Sequence, residues 1–475
     1  MSAQWTSPLA ERYASKAMLR LWSPDVRHGL WRELWLALAE AERDLGVDIP
    51  EEAIAQMRAH LGDVDFDAAA RYEQRFRHDV MAHVHAYGDV APAAKAYIHL
   101  GATSAFVTDN ADLIQMRRGM TLLRDKVADA LRALGTFARA WRQEPCLGYT
   151  HLQPAQCTTV GKRATLWMQD FLLDLDDLEH RIATLPFRGV KGTTGTQASF
   201  LALFGGDHAK VRELDRRVTA KLGFGAAIPV SGQTYSRKVD AQVLGAVAGI
   251  AASAAKLASD LRVLQAFGEI EEPFEAEQIG SSAMAYKRNP MRSERINALA
   301  RFVLSLEPNA NQTHSVQFLE RTLDDSANRR LVIPESFLAT DAILVLVGNI
   351  VRGLEVHPTR IRRRLEDELP FMATEELIVR AVRAGGDRQV VHEVIRRNAI
   401  AAARAMKDEG GANDLLARLA ADPEMNVSVD DLRAAIDPRR FVGRAPEQVD
   451  EFLDEAVAPR LARLTAVVEP EAVRV

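Results

Sequence analysis

Apolar residues recur through most of this chain at the three-to-four-residue spacing of helices that bury one face. Leu30, Leu34, Leu38 and Ala41 form one such stripe, with Ser23-Pro24-Asp25 as the helix start and Gly46 as its stop. A second helical piece runs from Pro50 towards Leu61, and a third helical segment covers 67–87. From Asp109 a longer pattern carries Leu113, Met116, Leu123, Val127 and Leu131, and helix resumes from Thr159 towards Leu185. Between Ser236 and Phe267 no proline interrupts Leu244, Val247, Ala251, Ala254, Leu257, Leu261 and Leu264. At ~1.5 Å per residue this stretch predicts a rod of roughly 48 Å, and its small residues suit close packing in a bundle. Further helices are predicted over 293–306, broken at Pro308, and over 326–354, with a kink at Pro334.

Polar, glycine-containing stretches at 101–104, 148–156, 188–197 and 279–290 separate these helices. His357-Pro358 marks a boundary, after which Pro370, Gly385-Gly386, Gly410-Gly411 and Pro438 divide the chain into shorter helices. The expectation is an all-α fold of three helical domains: residues 1–105, a central long-helix bundle over 106–357, and a C-terminal domain over 358–475.

Composition narrows the partners. Among 475 residues, 47% are hydrophobic and 26% charged, as in an ordinary globular protein, and the net charge is −5. That balance argues against nucleic acid or an anionic membrane as the partner, so an anionic ligand must meet a local basic pocket. The apolar stretch Val243 to Ala255 falls short of the ~18 residues a spanning helix needs, and the opening residues lack a signal-peptide pattern. Cys146 and Cys157 have neither metal-ligand spacing nor disulfide-scaffold density, which fits the cytoplasm. His78, His83 and His85 are spaced poorly for one helical face and are read as solvated or hydrogen-bonded rather than metal ligands. The 188–197 stretch lacks the order of a phosphate-binding P-loop, and Arg362-Arg363-Arg364 reads as a solvated helix face.

One stretch stands apart: Ile279-Gly280-Ser281-Ser282-Ala283-Met284-Ala285-Tyr286-Lys287-Arg288-Asn289-Pro290-Met291-Arg292-Ser293-Glu294-Arg295, a loop feeding a helix. It resembles the signature loop of the fumarase/aspartase superfamily of lyases, most closely the adenylosuccinate lyase branch, with Ala285 where that branch usually has Pro. The resemblance extends over nearly the whole chain. It takes in residues 7–13, Arg77-His78-Asp79, Gly101-Ala102-Thr103-Ser104, Thr150-His151-Leu152-Gln153-Pro154-Ala155, Gly232-Gln233-Thr234-Tyr235 and residues 320–330.

The resemblance implies elimination of fumarate from adenylosuccinate, giving AMP, and from the succinylaminoimidazole-carboxamide ribotide of purine synthesis. Taking a proton from carbon beside a carboxylate builds charge on an already negative group, so cations and hydrogen-bond donors must absorb it. By resemblance Ser281 is the base and His151 the proton donor to the leaving nitrogen, with Lys287 helping to stabilise the serine alkoxide. Histidine suits the donor role because it exchanges a proton near neutrality. Arg12, Tyr13, Arg321, Ser326 and Arg330 are expected to contact the nucleotide, through guanidinium pairing with phosphate and carboxylate. Asn289 and Arg295 act at the loop. Arg77, His78, Asp79, Thr103, Ser104, Gln233 and Thr150 match further substrate-binding positions. No metal or organic cofactor is required. The resemblance also implies a homotetramer with active sites shared between subunits. The alternatives are another superfamily lyase, a carboxymuconate cycloisomerase, or a non-catalytic helical scaffold.

Overall fold

Five helices of 25 to 37 residues build the centre of the molecule: Ser104–Ala140, Val160–Thr184, Lys238–Phe267, Met291–Ser315 and Asp324–Arg352. This computed structural model describes residues 5–466 apart from 276 and 426, together with 468, 471 and 473. The five pack against one another, and the stripe predicted on Lys238–Phe267 is buried throughout, from Leu244 to Leu264. Two of them, Lys238–Phe267 and Asp324–Arg352, are long and apolar enough to cross a membrane by length and composition, but most of each apolar window is buried in the bundle. Their apolar faces therefore already have helix neighbours.

The helix starts obey local chemistry. The Ser23 hydroxyl caps Pro24–Asp44 by accepting from the Val26 N–H, and Thr159 does the same for Lys162 at the start of Val160–Thr184. Leu30, Leu34, Leu38 and Ala41 all face the core. The 67–87 segment divides at Arg77, which takes a left-handed conformation (φ 56°) between the helices Phe66–Phe76 and Asp79–Val90.

Three expectations need correction. Pro308 does not end its helix, because Met291–Ser315 runs through it; the residue is exposed, so solvent can satisfy the carbonyl its missing N–H leaves unpaired. The 148–156 stretch is not an irregular loop but part of an antiparallel hairpin, β1 (Pro145–Thr150) and β2 (Gln153–Thr159). A second, two-residue ladder pairs β3 (Ile270–Glu271) with β4 (Glu355–Val356). Lastly, Arg364 is not a solvated charge: it stacks on Phe267 at 4.1 Å and pairs with buried Glu269 at 3.5 Å.

One hydrophobic core runs from Leu9 through the bundle to Leu365 and takes in Val449, Leu453, Val457 and Leu464 from near the C-terminus. A separate core joins residues between Ala373 and Ala435. The histidines read as non-ligands are held by stacking or capping: His83 stacks on His28, His85 on Tyr72 and Phe76, and His78 caps a helix.

Candidate active site

The expected site residues fall into four places within one chain. The largest group lines one open cleft: Arg77, His78, Asp79, Ser104, Gln233, Arg321, Ser326 and Arg330. Asp79 opens its helix and pairs with Arg330 at 2.9 Å. His78 is the cap of that helix. Its Nδ1 accepts from the Met81 N–H at 3.3 Å, so in the neutral ring Nε2 carries the hydrogen, and Nε2 lies 3.4 Å from the Ser104 hydroxyl. Thr103 is the N-terminal flank of Ser104–Ala140, beside this cleft residue. Gln233 is placed by its backbone, whose N–H donates to Glu320 O at 3.0 Å and whose carbonyl accepts from Arg188. Gly232 makes this approach possible, since a Cβ there would lie 2.6 Å from the Glu320 carbonyl oxygen.

Beneath the cleft is a buried ionic network that the sequence reading did not single out. Arg237 pairs with Asp109 at 3.1 Å and with Asp325 at 2.7 Å; Arg329 pairs with Asp240 at 2.7 Å and Asp112 at 2.9 Å. Tyr235 donates to Asp240 at 2.6 Å. Burial alone would raise the Asp109 carboxyl, but Arg237, Arg329 and Arg188 hold it below the usual carboxylate range. Asp325 also accepts from Arg321 at 3.3 Å, so a cleft arginine is tied directly to buried charge. No local pattern revealed this network, because its members join helices up to some two hundred positions apart; Tyr235, Arg321, Asp325 and Arg329 fell inside stretches already noted, but nothing local paired them with Asp109, Asp112, Arg237 or Asp240.

Arg12, Tyr13 and Arg295 form a second group. Tyr13 ends the short helical turn Leu9–Tyr13, and the Arg295 guanidinium lies 5.2 Å from its ring centre. Glu471 and Val473 line the same pocket.

The third place is the signature loop. Buried Glu272 closes its neck by accepting from the N–H groups of Arg292 and Ser293 and from the Ser293 hydroxyl, at 2.8 to 2.9 Å. Further out, Asn289 donates to Gly280 O at 2.8 Å, and a Cβ on Gly280 would lie 2.1 Å from the Lys287 carbonyl oxygen. This pinch leaves Ser282 to Arg288 exposed, with Ser281 half-buried at its base. The Ser281 hydroxyl oxygen accepts from the backbone N–H groups of Met284 at 3.2 Å and Ala283 at 3.4 Å, which favour negative charge on that oxygen. Arg288 bridges Glu355 at 3.0 Å and Glu271 at 3.5 Å, offsetting two carboxylates that face each other across β3 and β4.

Thr150 and His151 are the fourth. Thr150 ends β1, and His151 with Leu152 forms the two-residue turn of the hairpin, at φ 55° and 56°. A turn with both central residues left-handed normally favours Asn-Gly, so the backbone is strained here in order to display an exposed imidazole. Among the described residues, no hydrogen bond or ion pair joins the His151 side chain to Ser281, Lys287 or the cleft arginines.

Residues 11–304 match the family model described as lyase, and residues 370–452 match that of the adenylosuccinate lyase C-terminus. The chain is 51% identical to the adenylosuccinate lyase of Schizosaccharomyces pombe, over 99% of this chain and 98% of that one. This chain belongs to the adenylosuccinate lyase family. It is also 52% identical to the adenylosuccinate lyase of Saccharomyces cerevisiae, over 95% of each. Among solved structures, fumarate lyase from Mesorhizobium sp. BNC1 matches with a TM-score of 0.78 at 26% identity, over 94% of this chain and 99% of that one. The 3-carboxy-cis,cis-muconate lactonizing enzyme of Pseudomonas putida has a TM-score of 0.80 at 22% identity, over 97% and 99%. That second likeness is one of fold, and the near-full-length identity to adenylosuccinate lyases sets the family apart from it.

Proposed function

We propose that this enzyme of the adenylosuccinate lyase family eliminates fumarate from adenylosuccinate to give AMP, and from succinylaminoimidazole-carboxamide ribotide to give the free carboxamide. The carrying observation is half-identity to adenylosuccinate lyases over essentially the whole chain. In the proposed step Ser281 removes the proton from carbon beside a carboxylate, the electron pair forms the fumarate double bond, and the carbon–nitrogen bond breaks. His151 supplies the proton that nitrogen takes. Support for Ser281 comes from the two backbone N–H groups on its oxygen, which stabilise the alkoxide it would need. Lys287 lies on the exposed arc of the same loop, its carbonyl oxygen at the pinch beside Gly280, and the charge of its side chain is proposed to steady that alkoxide. Arg321, Ser326 and Arg330 in the cleft and Arg12, Tyr13 and Arg295 in the second pocket supply the guanidiniums and hydroxyls that a phosphate and two carboxylates require.

We further propose a homotetramer whose active sites are shared, because one chain holds these groups in four places. Support for a bundle interface comes from surface apolar residues on bundle helices: Leu166 and Leu173 on one face of Val160–Thr184, and Leu331 on Asp324–Arg352, all at least half exposed. The thiols of Cys146 and Cys157 are free, which fits the cytoplasmic location we propose. The test is the absorbance change on adenylosuccinate cleavage, measured with size by light scattering. Fumarate release by a tetramer is the expected result; a stable, active monomer would overturn the shared site.

A further inference from the structure

One end of the cleft is walled by aromatic side chains that the proposed chemistry leaves unused. His28 and His83 stack with ring centres 4.0 Å apart and planes within 9°. Trp31 meets both edge-on, at 4.7 and 5.4 Å, and Phe66 closes the other side at 5.5 and 6.4 Å. All four line the same cleft as Arg330 and Asp79, and the charges of both act on His28. The wall and the phosphate-binding arginines thus share one space.

The protonation of the wall follows from its contacts. His28 Nδ1 lies 2.8 Å from Pro24 O, and a carbonyl only accepts, so Nδ1 carries the hydrogen. Burial is the main cause that pushes His28 and His83 down to about 4, so both rings are neutral in the cell. His28 Nε2 is then a bare acceptor. Among the described residues no hydrogen bond occupies it, nor either ring nitrogen of His83. Neutral, flat, partly desolvated and short of a hydrogen-bond donor, this surface suits a planar heteroaromatic ring and not a phosphate or carboxylate.

We propose that the His28–His83 wall seats the base of the nucleotide, its rings and Phe66 packing on the base, with His28 Nε2 accepting an N–H from the base edge. The inference rests on the nucleotide-lyase reading and adds which wall recognises the base. These are positioning and specificity residues.

The experiment compares AMP with ribose 5-phosphate, which keeps the sugar phosphate and lacks the base, by calorimetric titration of the tetramer. His28→Asn keeps a donor near Nδ1 and removes the Nε2 acceptor, whereas His28→Gln places an amide oxygen near Nε2. His28→Asn should weaken AMP ~10-fold and leave ribose 5-phosphate unchanged, with His28→Gln recovering part of the loss. Equal weakening of both ligands, or of neither, would overturn the proposal. A second readout does not depend on those variants folding: AMP, and not ribose 5-phosphate, should quench a fluorescence component that is missing in Trp31→Phe. If neither ligand, or both equally, quenches it, the base lies elsewhere. Failure of the wild-type enzyme to release fumarate from adenylosuccinate would instead strike the lyase reading, leaving the base subsite to be decided by AMP against ribose 5-phosphate.

Discussion

Arg330 and Asp79, 251 positions apart, pair at 2.9 Å in the cleft with about half and a third of their side chains exposed. An ion pair this open to water contributes little to stability, so a phosphate can displace Asp79 from Arg330 at small cost. Arg330→Ala should therefore weaken AMP binding ~10–100-fold and leave turnover at saturation within a few-fold, since a phosphate clamp acts in ground and transition states alike. Titration of AMP beside saturating kinetics checks it. A turnover collapse with unchanged AMP affinity would assign Arg330 to the chemical step.

Ser281 and His151 should show the opposite split. Ser281→Ala and His151→Ala are each expected to cut turnover by ~10²–10⁴ or more, with AMP affinity little changed. If, as proposed, the loop and the hairpin tip of one site come from different subunits, mixing the two inactive variants and letting subunits exchange should restore activity at the sites that receive one intact copy of each. No recovery after proven exchange would mean that both residues of a site come from one subunit.

Ala285 lies on the exposed arc of the signature loop, beyond the pinch at Gly280 and Asn289. Proline there would restrict the open chain without touching the buried neck at Glu272. Ala285→Pro should slow loop motion or raise stability while the enzyme stays active, as followed by stopped-flow turnover and thermal melts. Complete inactivation would show a backbone path incompatible with proline.

Glu42 is fully buried, and neither carboxylate oxygen has a partner among the described residues. Burial pushes its carboxyl up to about 9 from an ordinary 4.5. The folded state thus holds the proton more tightly than the unfolded chain. The associated stability is complete below about 4.5 and is lost as pH rises towards 9. Glu42→Gln removes that titration. Its melting temperature should match the wild type near pH 4.5 and exceed it by a few degrees at pH 8. Parallel curves for the two proteins across this range would show that Glu42 stays ionised.

The amphipathic stripes were legible in the sequence because helix burial repeats every three to four residues, and Leu30 to Ala41 and Leu244 to Leu264 are buried as predicted. Pro308 misled because a proline on an exposed helix face costs less than one in the interior. The hairpin escaped notice because His151-Leu152 lacks the glycine that such a turn prefers; Gly148 and Pro154 inside the strands read as breakers. The wording of the loop pointed to the lyase chemistry of its family.

By itself the sequence determined the helices, whose hydrogen bonds and caps close within a few residues, and the kinds of groups available for chemistry. Tertiary structure alone decided which of them meet. It set Arg295 over Tyr13, Arg330 beside Asp79 and His28 against His83, and it ran one buried charge network from Asp109 through Arg237 and Asp325 to Arg321. Those contacts join segments far apart in the chain. They depend on the summed packing of five long helices, which no local window of residues contains.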